Sequence, residues 1–90
     1  MGHRIELGEI EVNVNMLPGV QMAACIYDTE KVKIVLFFVG ELSDKELTTA
    51  LKTKLPRYML PNKIIKLEQM PFTANGKIDR VTLKKSCENG

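Results

Sequence analysis

The chain has 90 residues, of which 44% are hydrophobic and 27% are charged, and its formal net charge is +2. These proportions are typical of one small domain with a modest core, and they exclude a disordered segment. No apolar run is long enough to span a membrane, and the start lacks the apolar stretch of a secretory signal. The two cysteines, Cys25 and Cys87, form no metal or redox spacing. We therefore expect a cytoplasmic protein without a membrane partner, in which Cys25 is a small buried hydrophobe.

The charges are distributed unevenly along the chain. Residues 1–50 carry four basic and eight acidic groups, whereas residues 51–90 carry nine basic and three acidic groups. A net charge of +2 is too small to indicate nucleic-acid binding, and we expect no nucleic-acid partner. The asymmetry has two interpretations: an ordinary solvated, polarised surface, or a face for partners that carry phosphate.

Residues 6–17 carry two competing patterns. Four apolar residues recur at helical spacing: Leu7, Ile10, Val14 and Leu17. Residues 10–16 also alternate between apolar and polar side chains, as a strand would, so the pattern alone leaves both structures open. In either case the element ends at Pro18-Gly19.

Two strands are predicted next. Residues 20–27 and 31–39 are rich in β-branched and aromatic residues, and the short polar segment 28–30 between them predicts an antiparallel hairpin. Every position from Ile34 to Val39 is apolar, so we expect this strand to be central in its sheet and covered on both faces.

A helix and a third strand follow the hairpin. Ser43 and Glu46 have the spacing of a capping box, and Pro56 ends the helix that starts there. The helix has one apolar face: Leu47, Ala50, Leu51 and Leu55. Residues 57–61 are predicted to be an irregular link, and residues 63–70 a third strand.

Residues 71–80 combine a turn signal, one lysine and a helix start. Asn75-Gly76 is among the strongest short turn signals because both residues tolerate positive φ, so this pair is expected to shape a loop that projects Lys77. Asp79 can cap a short basic helix that follows directly. The resulting order, α-β-β-α-β-α, predicts an α+β fold with helices packed on a small three-stranded sheet.

Three segments resemble, in order and spacing, motifs of the C-terminal domain of adenylate-forming ligases. Residues 74–80 are similar to the family's last core motif, of the Asn-Gly-Lys-x-Asp-Arg type; residues 2–11 resemble the motif that opens the domain, and residues 55–61 the motif between them. The family includes acyl-CoA synthetases and the amino-acid-activating domains of nonribosomal peptide synthetases. The resemblance implies a single lid domain over residues 1–90, with a helix at residues 6–17.

The resemblance also implies a site. Lys77 matches the catalytic lysine that enters the active site and contacts ATP during adenylation, although without the family it would be interpreted as a surface lysine. Arg4 matches an arginine that binds ATP phosphates, and guanidinium suits that contact. Gly2 matches a glycine whose bare backbone lets the pantetheine arm of the acceptor pass. No metal site is implied in this chain, because ATP and Mg²⁺ would be bound mainly by the family's larger domain.

Other charged residues of the first motif are interpreted more plainly. Glu6, Glu9 and Glu11 are predicted to form a solvated helix edge, and His3 has no partner set that would make it catalytic. Residues 5–11 lack the proline that typical acyl-CoA synthetases tend to carry just before the Glu-Ile-Glu sequence. This favours the amino-acid-activating branch. D-alanine–carrier ligases share the sequence of the last motif and are also compatible with this pattern.

The resemblance implies partners beyond this chain: an N-terminal adenylation core domain in cis and a carrier protein bearing phosphopantetheine. Because the chain begins inside a motif, we expect an excised C-terminal domain that is inactive alone. Substrate specificity would lie in the larger domain. Two alternatives stay open, namely the lid of an acyl-CoA synthetase and a free-standing module whose basic half docks an acidic partner such as a carrier protein or RNA.

Overall fold

The protein is described here by a computed structural model that covers residues 6–28 and 30–89. Its elements are α1 (Leu7–Asn15), β1 (Val20–Asp28), β2 (Lys33–Gly40), α2 (Asp44–Lys54), a single 3₁₀ turn (Arg57–Met59), β3 (Lys63–Lys66) and α3 (Arg80–Asn89). This order and the three-stranded sheet confirm the predicted α+β fold. None of the helices in these ranges has the length and apolarity needed to cross a membrane.

Helix α1 settles the ambiguity of the first segment in favour of the helical period. Ile10 and Val14 are fully buried, as one helical face requires. A strand would instead have placed Val12 and Met16 on the same buried face as Ile10 and Val14, but these two side chains are 59% and 75% exposed. Packing of the apolar side chains in the core, and not the local sequence pattern, therefore determines that this segment is a helix.

The sheet has the order β1-β2-β3, with β1 and β2 antiparallel and β2 and β3 parallel. Leu36, in the middle of β2, lies opposite Cys25 on one side and Ile64 on the other. The predicted hairpin is confirmed, and the Oδ1 atom of Asp28 accepts hydrogen bonds from the backbone N–H groups of Glu30 and Lys31 in its connection. Helix α2 makes the crossover that a parallel β2–β3 pair requires.

Both faces of β2 are covered, as predicted from its continuous apolar run. One face packs with α1 and α2 in a cluster that includes Ile10, Leu36, Phe38, Leu47 and Leu51. The other face packs with α3 in a cluster that includes Ala24, Val35, Phe37, Met70 and Leu83. The domain is therefore a three-layer sandwich, with two helices on one side of the sheet and one on the other.

The second half of the chain departs from the prediction in one strand. The capping box is present: the Ser43 hydroxyl accepts from the Glu46 N–H at 3.1 Å, and the Glu46 carboxylate accepts from the Ser43 N–H at 2.9 Å. The third strand, however, ends at Lys66 rather than at Met70. Leu67 and Met70 both pack into the cluster beneath α3, and a spacing of three residues on one face is incompatible with the two-residue period of a strand.

The chain makes one very close backbone approach, between the start of β1 and the end of β2. A Cβ atom at Gly40 would lie 2.2 Å from the carbonyl oxygen of Gly19. That oxygen also accepts the N–H of Glu41 at 2.7 Å. Only a residue without a side chain fits at position 40 without movement of the backbone.

Candidate functional site

The lysine of the last motif lies on a tight β-hairpin, residues 72–78, which we call the motif hairpin. Phe72 and Ile78 form an isolated antiparallel bridge at its base. Between them, the Thr73 N–H donates to the Lys77 carbonyl at 2.7 Å, and the Gly76 N–H donates to the Thr73 carbonyl at 2.9 Å. These bonds close the hairpin around a loop of three residues. The residues on either side of Lys77 are both held in place, Gly76 by its bond to Thr73 and Ile78 by its bridge to Phe72.

The turn chemistry of the motif hairpin is carried by one glycine. Gly76 has φ of +83°, whereas Asn75 is not among the described residues with positive φ. A turn followed by one glycine in the left-handed region is the usual construction of a three-residue hairpin loop. Apart from its chain neighbours, no atom of residues 6–28 and 30–89 lies within 4 Å of the position that a Cβ would take at Gly76. Glycine is therefore required here for its backbone conformation and not for lack of space.

Lys77 itself is exposed, with its backbone N–H 3.3 Å from the Thr73 hydroxyl oxygen. Among the residues that the structure describes, its ammonium makes no ion pair. The side chain is therefore displayed on a rigid turn without being neutralised within the described part of the domain. A lysine held in this way is a mobile point charge available to an anion on another surface.

The hairpin leads directly into α3 through a well-formed cap. The Asp79 N–H donates to the Pro71 carbonyl at 2.9 Å, and the Asp79 carboxylate accepts the Thr82 N–H at 3.1 Å. The hydrogen bond from the Thr82 backbone is the main reason that the pKa of Asp79 lies below its ordinary value. The predicted cap is confirmed, and it ties the exit of the hairpin to the first turn of α3.

A second contact that anchors the hairpin, between Arg80 and Glu11, was not predicted from the sequence. Arg80 donates from both terminal nitrogens to the Glu11 carboxylate, at 2.7 Å and 3.0 Å. The prediction that Glu11 belongs to a solvated helix edge is therefore wrong: its side chain is 17% exposed and also accepts the Cys25 backbone N–H at 2.7 Å. The two residues are 69 positions apart, and the sequence offers only their opposite charges as a signal.

These contacts set the electrostatics of the domain's interior. The hydrogen bond that Arg80 donates to the Glu11 carboxylate raises the pKa of Arg80, so the guanidinium stays charged. Burial, with a contribution from the Glu11 charge, raises the pKa of the Cys25 thiol to about 12. As expected from the sequence, Cys25 is a buried small hydrophobe, 1% exposed.

The other residues predicted to bind ATP or pantetheine are not in the described part of the chain. Gly2 and Arg4 lie outside the described residues, and so does His3. Over residues 6–28 and 30–89 there is no group of three or more His, Cys, Asp or Glu residues that could hold a metal ion. The base of the motif hairpin, at Phe72, borders a shallow groove of about 210 Å³, smaller than a typical small-molecule site of about 300–1,000 Å³.

The fold and the displayed lysine define a class of protein: the C-terminal subdomain of adenylate-forming enzymes. Its fold, three helices on a mixed three-stranded sheet, is shared with a solved structure of that class. The chain belongs to the family of AMP-binding enzyme C-terminal domains, whose family model matches residues 9–77.

Three relatives show the range of this similarity. The chain is 42% identical over 95 residues to the anguibactin system regulator of Vibrio anguillarum, covering 93% of this chain and 9% of that protein. It is 40% identical over 95 residues to a D-alanine–D-alanyl carrier protein ligase of Bacillus licheniformis, covering 93% and 19%. A crystal structure of a four-domain nonribosomal peptide synthetase bound to AMP and glycine matches with TM-score 0.78 and 39% identity, covering 89% and 6%. The chain thus spans less than a fifth of each.

Proposed function

We propose that this chain is the mobile C-terminal lid of an ATP-dependent ligase that adenylates an amino acid. In the proposed cycle Lys77 enters the active site of an N-terminal core domain during adenylation. The lid then rotates, and the acyl group passes to the phosphopantetheine thiol of a carrier protein. The observation that carries this proposal is the position of Lys77 on a hydrogen-bonded hairpin, where its ammonium forms no ion pair within the described part of the chain. The hairpin lies in a segment that resembles the family's last motif.

The chemistry of adenylation explains the need for such a lysine. A substrate carboxylate attacks the α-phosphate of ATP and forms the acyl-adenylate, while the bond from the α-phosphorus to the bridging oxygen breaks and pyrophosphate leaves. Two anions therefore approach each other, and negative charge accumulates on the transferring oxygens. A preorganised ammonium stabilises that charge more in the transition state than in the ground state, which is the requirement for catalysis. Because Lys77 stands on a rigid turn, little reorganisation is needed when the lid closes.

An isolated lid cannot supply the rest of the site. The groove at the base of the hairpin, at about 210 Å³, is smaller than a typical small-molecule site, and the family resemblance implies that ATP with Mg²⁺ is bound mainly by the core domain. Mg²⁺ there would neutralise charge on the phosphates. The 90-residue chain is accordingly expected to show no pyrophosphate exchange with ATP and any amino acid.

The choice of an amino acid and a carrier protein is supported by the relatives. One is named as a ligase of D-alanine and a carrier protein, and another as a nonribosomal peptide synthetase bound to AMP and glycine. A lid of an acyl-CoA synthetase would have the same Lys77 chemistry with CoA as the acceptor. Offering the adenylate both acceptors, holo carrier protein and CoA, separates the two.

The decisive experiment is Lys77→Ala in the longer protein that contains this domain, with the two half-reactions assayed separately. Adenylate formation should fall by at least about 10²-fold, the order expected for the loss of one preorganised electrostatic contact. Transfer from a preformed adenylate to the thiol should be nearly unchanged, because it uses the other lid orientation. Lys77→Arg should rescue poorly, since a planar fork does not replace a compact ammonium.

Lys84→Ala is the matched control, because Lys84 is also an exposed lysine but lies on α3, beyond the hairpin. It should leave both half-reactions unchanged. Circular dichroism of each variant checks that the domain remains folded. Equal losses in both half-reactions for Lys77→Ala, or no loss in either, would contradict the proposal.

A further inference from the structure

A clasp formed by Glu11 and Arg80 crosses the outer edge of β1. Arg80 Nη1 and Nη2 lie 2.7 Å and 3.0 Å from the two carboxylate oxygens of Glu11. Both side chains also bond the backbone of the strand: Glu11 accepts the Cys25 N–H at 2.7 Å, and Arg80 donates to the Cys25 carbonyl at 3.3 Å. Two side chains and one strand residue thus form a closed network of four hydrogen bonds.

The clasp joins elements on opposite faces of the sheet. Glu11 lies on α1, which packs on one face, and Arg80 is the first residue of α3, which packs on the other. Arg80 is also three residues after Lys77 and immediately follows the cap residue Asp79. The exit of the motif hairpin is therefore held to α1 and to β1, and not only to the helix that it starts.

We propose that Glu11 is a positioning residue for Lys77: through Arg80, it fixes the direction in which the motif hairpin presents the ammonium. This inference rests on the proposed function and names a residue that the lysine chemistry does not itself require. Glu11 touches no substrate in this proposal. Its carboxylate acts by holding Arg80 in one orientation against the strand.

The geometry favours a directional role over a general contribution to stability. A two-point contact between guanidinium and carboxylate fixes orientation as well as distance, which a single ion pair does not. Glu11 is the less exposed partner, at 17% against 48% for Arg80, so solvent competes weakly for its oxygens. In the wild type, three N–H donors, two from Arg80 and one from the Cys25 backbone, share the two carboxylate oxygens of Glu11. The uncharged amide of Glu11→Gln keeps the size of the side chain but offers these donors only one acceptor oxygen.

The first test measures the hairpin directly, without any catalytic assay. In the 90-residue chain, Glu11→Gln should speed amide hydrogen exchange at Cys25 and at Thr73, whose N–H closes the hairpin, by about tenfold or more. Glu9→Gln is the matched control, because Glu9 is an exposed carboxylate on the same helix. Unchanged exchange at Thr73 in Glu11→Gln would overturn the positioning role.

The second test asks whether Glu11 acts through Lys77 in the longer protein. Glu11→Gln should lower kcat for adenylation by about 10- to 100-fold, as expected for a reacting group misplaced by about 1 Å. KM for ATP and thioester transfer should change little. Arg80→Lys should give a similar loss, because an ammonium cannot reproduce the two-point contact.

The double variant of Glu11→Gln with Lys77→Ala separates positioning from structure. If Glu11 acts only by aiming Lys77, adding Glu11→Gln to Lys77→Ala should slow adenylation no further. Multiplied losses in the double variant would overturn the inference and assign Glu11 to a different role. If Lys77→Ala alone had no effect, the proposed function would fail, whereas hydrogen exchange would still report whether the clasp holds the hairpin.

Discussion

Gly40→Ala should destabilise the domain strongly, although alanine is a small residue. The added Cβ would lie 2.2 Å from the Gly19 carbonyl oxygen and 3.0 Å from the Val20 Cα, and both of these are backbone atoms. No side chain can turn away to make room. Gly40 does not have positive φ, so the cost is one of steric contact and not of backbone conformation.

The size of the effect follows from what must move. The two strand ends have to separate by about 1 Å to reach an ordinary contact, which is overpacking of a kind that costs about 1–3 kcal/mol. The same shift stretches the hydrogen bond from Glu41 to the Gly19 carbonyl, now 2.7 Å long, and its loss adds about 1 kcal/mol. A loss of about 2–4 kcal/mol lowers the Tm of a domain this small by about 10–30 °C.

The assay is thermal and urea unfolding of the 90-residue chain, followed by circular dichroism. Gly8→Ala is the control, because Gly8 lies in α1 and, apart from its chain neighbours and the backbone of its own helix, no atom of the described residues lies within 4 Å of its added Cβ. It should raise stability by up to about 1 kcal/mol, since alanine favours helix. The urea m-value should be the same for both variants, so that the change is one of stability alone. A Gly40→Ala midpoint within about 1 °C of the wild type would refute this reasoning.

Two further predictions concern titrating groups. In a Cys87→Ser background, Cys25 should resist iodoacetamide until the chain unfolds, because burial holds its pKa at about 12; labelling that accelerates between about pH 7 and pH 9, as for an exposed thiol, would contradict this. Asp79 has a lowered pKa, so its charged cap stabilises the fold fully above the ordinary aspartate pKa and loses this contribution as pH falls below it. The stability advantage of wild type over Asp79→Asn should therefore shrink between about pH 5 and pH 2. A difference that stays constant over this range would show that the Asp79 carboxylate does not stabilise the fold.

Local signals in the sequence were sufficient for most elements of the fold. The capping box at Ser43 and the apolar run of β2 each imply one structure whatever surrounds them. Residues 10–16 did not imply one structure, because their pattern fits both the helical and the strand period, and only packing on the sheet distinguishes the two. The early end of β3 had the same origin, since the burial of Met70 depends on where α3 lies.

The residues of the candidate site also differ in whether local signals in the sequence predict them. Lys77 was singled out by the resemblance to the family's last motif, since its local pattern is that of a surface lysine. Gly76 and Asp79 could be predicted from the sequence, because their turn and cap signals are contained within a few residues. Glu11 could not, because its partner is 69 residues away and it looks like any other acidic residue on a helix edge. Long-range pairing of side chains across a strand is information that the three-dimensional structure alone supplies.

The position of the clasp also bears on how this domain behaves among other chains. An outermost strand with unpaired backbone groups is a template on which another strand can add, and this is a common start of aggregation. At one margin of the sheet, the amide and carbonyl of Cys25 are already occupied by Glu11 and Arg80. At the other, β3 is only four residues long. In the proposed cycle the domain swings between two docking positions and exposes these margins repeatedly. The clasp interrupts the open hydrogen-bonding groups of one margin at Cys25, and the other margin is short.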